Sequence, residues 1–246
     1  MNIKRKITTN IAIISANILG GISLSLFGWF LFYGPPLSLN LSLSMSSLVF
    51  WNSALCLIFF IQHSLMIRNS FRRIAMTKLP AHFHGWIYTI ASALVIFVLV
   101  IFWQSSELTI LQAGGGWRLL LRGIFMVGAV GIVWSVLSLN SFDAFGTGML
   151  RAHVKQVKTV SSPLAFKGPY KFVRHPIYFF ILIMIWSYPD LTLDRLIFNS
   201  LFSFWMVLAT FWEENDLKEE FGEEYRHYQK MVPMLIPWKL STWIDN

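Results

Sequence analysis

Gly85–Trp103 reads GWIYTIASALVIFVLVIFW, an apolar run without a single Lys, Arg, Asp or Glu. At helical rise, roughly 20 such residues cross the hydrocarbon of a bilayer. Three further runs, Ile11–Tyr33, Ser46–Ile67 and Gly123–Phe142, have the same character and are also free of formal charge. The chain has 246 residues, of which 55% are hydrophobic and only 13% charged, and its mean hydropathy is +0.57. That is too little charge to cover a soluble globule of this length. The four runs therefore predict four membrane-crossing helices.

Working outward, Lys4, Arg5 and Lys6 precede the first run, as they would in a secretory signal. The run exceeds the ~7–15 residues of a signal core and lacks a small-x-small cleavage site, so it reads as a retained helix. Towards the carboxy terminus, Val173–Thr210 is too long for one span and is interrupted at Tyr188-Pro189-Asp190. Proline and the charges Asp190, Asp194 and Arg195 divide it into helices near Val173–Tyr188 and Thr192–Trp212, a hairpin that returns the chain to the face it left.

Beyond the hairpin, Glu213, Leu217, Phe221, Tyr225 and Tyr228 recur at i, i+4, i+8, i+12 and i+15, which reads as one face of a helix lying on the membrane surface. Glu214, Lys218, Glu219 and Glu223 fall off that face. The expected fold is all-α: a polytopic membrane helix bundle of four full spans plus a carboxy-terminal helical hairpin, followed by an amphipathic surface helix on the cytoplasmic side. Residues 1–145 would form the transmembrane part and 146–246 the part that carries the site.

The net charge of +8 and pI near 9.7 invite a nucleic-acid reading, but the charges are not distributed for it. Arg68, Arg72, Arg73 and Lys78 lie between the second and third spans, and Arg151, Lys155, Lys158, Lys167, Lys171 and Arg174 between the fourth and the hairpin. The alternate connections, Gly34–Met45 and Gln104–Gly116, carry only Glu107. This is the positive-inside pattern. It places the amino terminus, the basic loops and the site on the cytoplasmic face of the cell (inner) membrane, with anionic lipid as the partner of the basic charge. No nucleic acid and no obligate protein partner is implied. The lone Cys56 can form no internal disulfide and reads as a small hydrophobe, and no His or Cys spacing predicts a metal.

The chemistry concentrates in Gly168-Pro-Tyr170-Lys-Phe-Val-Arg174-His175-Pro176-Ile-Tyr178 and in Glu213-Glu214. The hairpin brings these two segments to one face. Glu214 can pair with Lys218 at i+4, so it reads as a solvated charge. Glu213 shares the aromatic stripe, where an unpaired carboxylate costs several kcal/mol, so it needs a cation. That cation is either a structural one, such as Arg174, or an ammonium on a ligand. His175 and Tyr178 stand at i and i+3, with Pro176 at an early helical position where proline is tolerated.

The pattern Gly-x-Tyr-x-x-x-Arg-His-Pro-x-Tyr, followed by Glu-Glu-x-x-Leu-x-x-x-Phe-Gly-x-x-Tyr-x-x-Tyr-x-x-x-Val-Pro, resembles the membrane methyltransferases related to isoprenylcysteine carboxyl methyltransferase, over about Ser162–Pro237. Gln62-His63-Ser64 and Asn140-Ser141-Phe142-Asp143 resemble the branch that contains methanethiol S-methyltransferase and the NnrU-type proteins. The resemblance implies S-adenosylmethionine as cofactor, with Leu164, Tyr170, His175, Pro176 and Tyr178 around its nucleoside and methionine parts and Glu213 on its amino group. Two departures stand out. Ala209 occupies the place of an arginine that holds a substrate carboxylate in prenylcysteine methyltransferases, and Phe180 replaces a glycine. With His63, these two mark the acceptor pocket. A small neutral thiol such as methanethiol, giving dimethyl sulfide, suits an acceptor site without fixed charge. His175 and Tyr178 are the catalytic candidates, and His63 and His227 further sources of a base. Prenylcysteine, phospholipid or amine methylation, and an NnrU-type protein without turnover, are the alternatives.

Overall fold

The computed structural model describes residues 3–37, 39–68, 80–139, 142–157, 164 and 166–238. Arg72, Arg73, Lys78, Asn140, Ser141 and Lys158 lie outside the described residues. Among those described, the helices are α1 (Ile3–Tyr33), α2 (Met45–Ile67), α3 (His84–Phe102), α4 (Gly115–Leu137), α5 (Gly148–Lys155), α6 (Pro176–Trp186), α7 (Leu193–Phe221) and α8 (Glu223–Met231). Two short strands, β1 (Thr109–Gln112) and β2 (Asp190–Thr192), and single 3-10 turns at Ala81–Phe83 and Gly168–Lys171 complete them.

Five of these helices are long and apolar enough to cross a membrane: α1, α2, α3, α4 and α7. The protein is a polytopic helical membrane protein. The first arm of the expected hairpin, α6, has 11 residues and reaches only about 16 Å. The second arm, α7, runs for 29 residues and does not stop at Trp212 but carries Glu213-Glu214 within it. It ends at Gly222, whose φ of +56° is a conformation that side-chain-bearing residues rarely adopt. The surface helix expected from Glu213 onward is therefore the last turns of α7 followed by a separate α8.

The chain packs as two compact units that interleave along the sequence, Met1–Ser106 with Asp143–Ser161, and Glu107–Phe142 with Ser162–Asn246. In the first, α1 and α2 pack against α3. Ala12 and Ala16 are buried, whereas Ile11, Ile14, Ile18 and Ile22 are more than half exposed, as expected of a helix whose outer face meets lipid. Gly20 lies against the Phe145 ring, and Gly85 and Gly146 meet backbone to backbone, leaving no room for a Cβ. Buried Asn52 donates to the Gln104 carbonyl at 2.8 Å and accepts from its N–H at 3.1 Å, which satisfies the backbone where α3 ends. Cys56 is buried and free.

In the second unit, α4 packs along α6, and α6 folds back through β2 onto α7. The contact is close because Gly128 and Gly131 leave a groove. A Cβ on Gly131 would enter the Phe180 ring, and one on Gly128 would meet Met184. β1 and β2 form a two-stranded antiparallel sheet, with Leu193 N–H donating to Leu108 O at 2.9 Å and Ala113 N–H to Pro189 O at 2.9 Å. An all-α reading did not anticipate this pairing. The strands span only four and three residues, too short to show an alternating pattern, and they pair because backbone at the ends of spanning helices needs partners.

Candidate active site

The site is assembled in the second unit from the turn before α6, the last turns of α7, and α8 with the tail behind it. Gly168 opens the 3-10 turn with φ +58° and sits tightly on Ser138 and Trp134 of the α4 end, where a side chain would collide. The chain then runs beside the tail: Arg174 N–H donates to Pro233 O at 2.9 Å and His175 N–H to Met234 O at 3.1 Å. Pro176 then starts α6 as its first residue, where no N–H is missed.

Arg174 is the hub. Its Nε donates to Glu214 Oε1 at 2.6 Å, a terminal nitrogen approaches the same oxygen at 2.5 Å, and the other donates to the carbonyls of Gln229, at 3.1 Å, and Val232. Gln229 Nε2 donates to the second Glu214 oxygen at 2.7 Å. The two charged side chains are only 9% and 7% exposed, so this is a buried, fully hydrogen-bonded pair.

This corrects the expected roles of the two acids. Glu214, expected to be solvated beside Lys218, is the buried one, and Arg174 is its cation. Glu213, expected on the buried stripe, has a side chain 46% exposed. The reason is helical phase. Phe202, Met206, Thr210 and Glu214 recur every fourth residue along α7 and are all buried. The stripe drawn from Glu213 to Tyr228 crosses the break at Gly222, where the phase of α7 is lost.

His175 lies between the two acids. Its side chain is 5% exposed, with Nδ1 3.6 Å from Glu213 Oε2 and Nε2 3.4 Å from Glu214 Oε1. Nε2 makes no hydrogen bond among the described residues. The ring stacks on Tyr178, centroids 5.8 Å apart and planes within 8°. Burial disfavours charge on this imidazole, but the neighbouring Glu213 and Glu214 carboxylates outweigh it, and the pKa rises above the ordinary histidine value.

Around this centre, Leu164 and Phe166 pack on the buried cluster of Tyr225, Tyr228 and Val232. Tyr228 donates its hydroxyl to the Tyr170 carbonyl at 2.6 Å. Burial, and the Glu213 charge after it, push the Tyr170 phenol upward. Leu164, Tyr170, His175, Pro176, Tyr178 and Glu213 all belong to this one unit. Phe180 points its ring into the Gly131 groove of α4. Ala209 is half-buried, one turn before Glu213 on α7. His63 belongs to the other unit, where its ring nitrogens stand 2.9 and 3.0 Å from the Tyr88 hydroxyl and its ring stacks on Phe59. His227 is exposed on α8. Among the described residues no three His, Cys, Asp or Glu side chains gather as metal ligands. Reasoning from sequence missed Gln229 and the burial of Glu214, since apolar residues at four-residue spacing precede both acids on α7.

A methyl donor of the S-adenosylmethionine type brings an ammonium and a sulfonium, and the residues present fit it. Both oxygens of Glu214 are taken by protein groups, whereas Glu213 keeps acceptor capacity beside a buried imidazole that stacks on Tyr178, with Tyr170 within reach of its charge.

Fold and site together define a multi-pass membrane protein with an acid and aromatic groups gathered where its carboxy-terminal helices meet. No family model matches the chain, and no solved structure matches it at a significant level. Curated relatives do. Methanethiol S-methyltransferase of Pseudomonas deceptionensis is 34% identical over 83% of this chain and 76% of its own length. The protein of that name in Mycobacterium tuberculosis is 27% identical over 76% and 77%. Nurim of Rattus norvegicus is more distant, at 25% over 68% and 67%. The chain belongs to the methanethiol S-methyltransferase family.

Proposed function

We propose that this protein is a membrane-embedded methyltransferase that uses S-adenosylmethionine to methylate a small thiol, methanethiol, giving dimethyl sulfide. The observation that carries the reading is the 34% identity, over 83% of the chain, to a methanethiol S-methyltransferase. Ala209 supports a neutral acceptor. It offers no cation to a substrate carboxylate, which in low dielectric would need one.

When bound, the cofactor supplies an activated methyl group whose departing sulfur leaves as a neutral thioether, so no general acid is required. Glu213 holds the donor's ammonium. Leu164, Tyr170, Pro176 and Tyr178 enclose its remaining parts, and their rings favour positive charge by about 0.5–2 kcal/mol. Arg174 fixes Glu214, and with it the α7 terminus, so that Glu213 is presented at a constant place. Rate comes chiefly from holding the thiol sulfur within about 3–3.5 Å of the methyl carbon with water excluded, and from having the thiol ionised. His175 receives the thiol proton. Phe180 and Ala209 shape the acceptor's surroundings. The protein sits in the cell membrane with its amino terminus and site towards the cytoplasm, the side on which the basic residues concentrate.

The test is direct. Purified protein incubated with methyl-labelled S-adenosylmethionine and methanethiol should release labelled dimethyl sulfide, and label prenylcysteine carboxylates poorly. Label on the carboxylate without any volatile product would overturn the thiol reading.

A further inference from the structure

The acid that the proposed donor needs is already in use in the ligand-free protein. Glu213 Oε2 stands 3.6 Å from His175 Nδ1, and His175 is 94% buried, its relative exposure being 6%. The groups facing that ring are Arg174 from the turn before α6, Tyr178 from α6, and Glu213 and Glu214 from α7. Tyr225 and Tyr228 of α8 stand behind Glu214, and Tyr170 stands within reach of the Glu213 charge. Glu214 is neutralised by Arg174, so Glu213 is the acid whose charge is left for the imidazolium.

We propose that protonated His175 and the ammonium of the bound methyl donor compete for Glu213, so that donor binding expels a proton from His175 and leaves it as the neutral base for the thiol. The inference rests on the methyltransferase reading and deepens it by giving the site an order: donor first, thiol second.

The physical basis is an opposition between burial of the ring and the carboxylate 3.6 Å from its Nδ1. Burial is the largest influence on His175 and favours the neutral ring, and the Glu213 and Glu214 carboxylates oppose it. A ligand ammonium on Glu213 removes one of those carboxylates from the balance and adds positive charge nearby. The neutral ring then wins, and the proton departs past Glu213, on the half-exposed side of the site. When the thiol arrives its S–H bond breaks and the proton goes to His175. The sulfur lone pair forms the new S–CH3 bond as the donor's C–S bond breaks, with that electron pair staying on the departing thioether. The proton count closes, since one proton leaves on donor binding and one returns from the thiol.

The experiment is calorimetric titration of the purified full chain with S-adenosylhomocysteine, which carries the ammonium, in buffers of different ionisation heat. The proposal predicts release approaching one proton per site between the His175 pKa of the complex and that of the free protein, with affinity rising up to about tenfold per pH unit there. 5′-Methylthioadenosine lacks the ammonium and should bind without proton release. Both His175→Gln and Glu213→Gln should abolish the release, the second variant guarding against misfolding of the first because its side chain is half-exposed. Heats that do not depend on buffer for the wild type, or unchanged proton release in His175→Gln, would overturn the proposal while leaving the methyltransferase reading intact. Failure of the wild type to bind either nucleoside would sink that reading, and this inference with it.

Discussion

The α6–α7 hairpin has an arginine–carboxylate pair at each end, and the two pairs sit in different surroundings. At the turn, Arg118 grips Asp190 with two nitrogens at 2.8 and 2.5 Å, but the side chains are 40% and 26% exposed. Nearby, the Arg122 and Arg195 guanidinium groups lie over the Tyr188 ring at 5.1 and 4.2 Å. That end is a closed staple holding β2 to the start of α4. At the open end Arg174 and Glu214 are 9% and 7% exposed, and beside them remain a carboxylate with acceptor capacity and a ring nitrogen without a hydrogen bond. The same pairing fastens structure at one end. At the other it leaves groups over for a ligand.

The comparison can be broken at either end. Arg174→Met should have the largest effect, because it strands a buried Glu214 carboxylate and frees the Gln229 and Val232 carbonyls. A loss of about 3–5 kcal/mol is expected, read as a much lower unfolding temperature in detergent. Gly131→Ala should cost about 1–3 kcal/mol by driving a methyl group into the Phe180 ring, and Phe180→Ala should recover part of it. His175 adds a smaller effect dependent on pH. Its folded pKa is raised, so its stabilising contribution is complete below the unfolded value of about 6.5 and is lost as pH rises through the folded value. The unfolding midpoint of the ligand-free wild type should therefore fall across that window while that of His175→Gln stays flat. Arg118→Ala, at the exposed staple, should shift unfolding least.

Much of the fold is legible in the sequence because hydrocarbon imposes a simple rule, and charge-free runs long enough to cross it mark α1 to α4 almost by inspection. The glycines that seat α6 on α4 are readable for the same reason, since only small residues let spanning helices approach closely. The short sheet is not readable, because three or four residues hold no periodicity. The gathering of Arg174, His175, Glu213 and Glu214 follows from the hairpin. The division of labour between the two acids was misread because one stripe was drawn through Gly222, where the helix breaks and its phase is lost. Counting back along α7 does not separate the two acids, because Ala209, Trp205 and Leu201 behind Glu213 are as apolar as Thr210, Met206 and Phe202 behind Glu214, and only packing puts the second row inside.

The most direct measurement compares S-adenosylmethionine binding by Glu213→Gln and Glu214→Gln, alongside their unfolding temperatures. Glu213→Gln should keep the stability of the wild type and lose affinity by roughly 10- to 100-fold, the worth of a charged hydrogen bond at about 1.5–3 kcal/mol. Glu214→Gln should lose stability first. Full donor affinity in Glu213→Gln would contradict the claim that the exposed acid, rather than the buried one, meets the methyl donor.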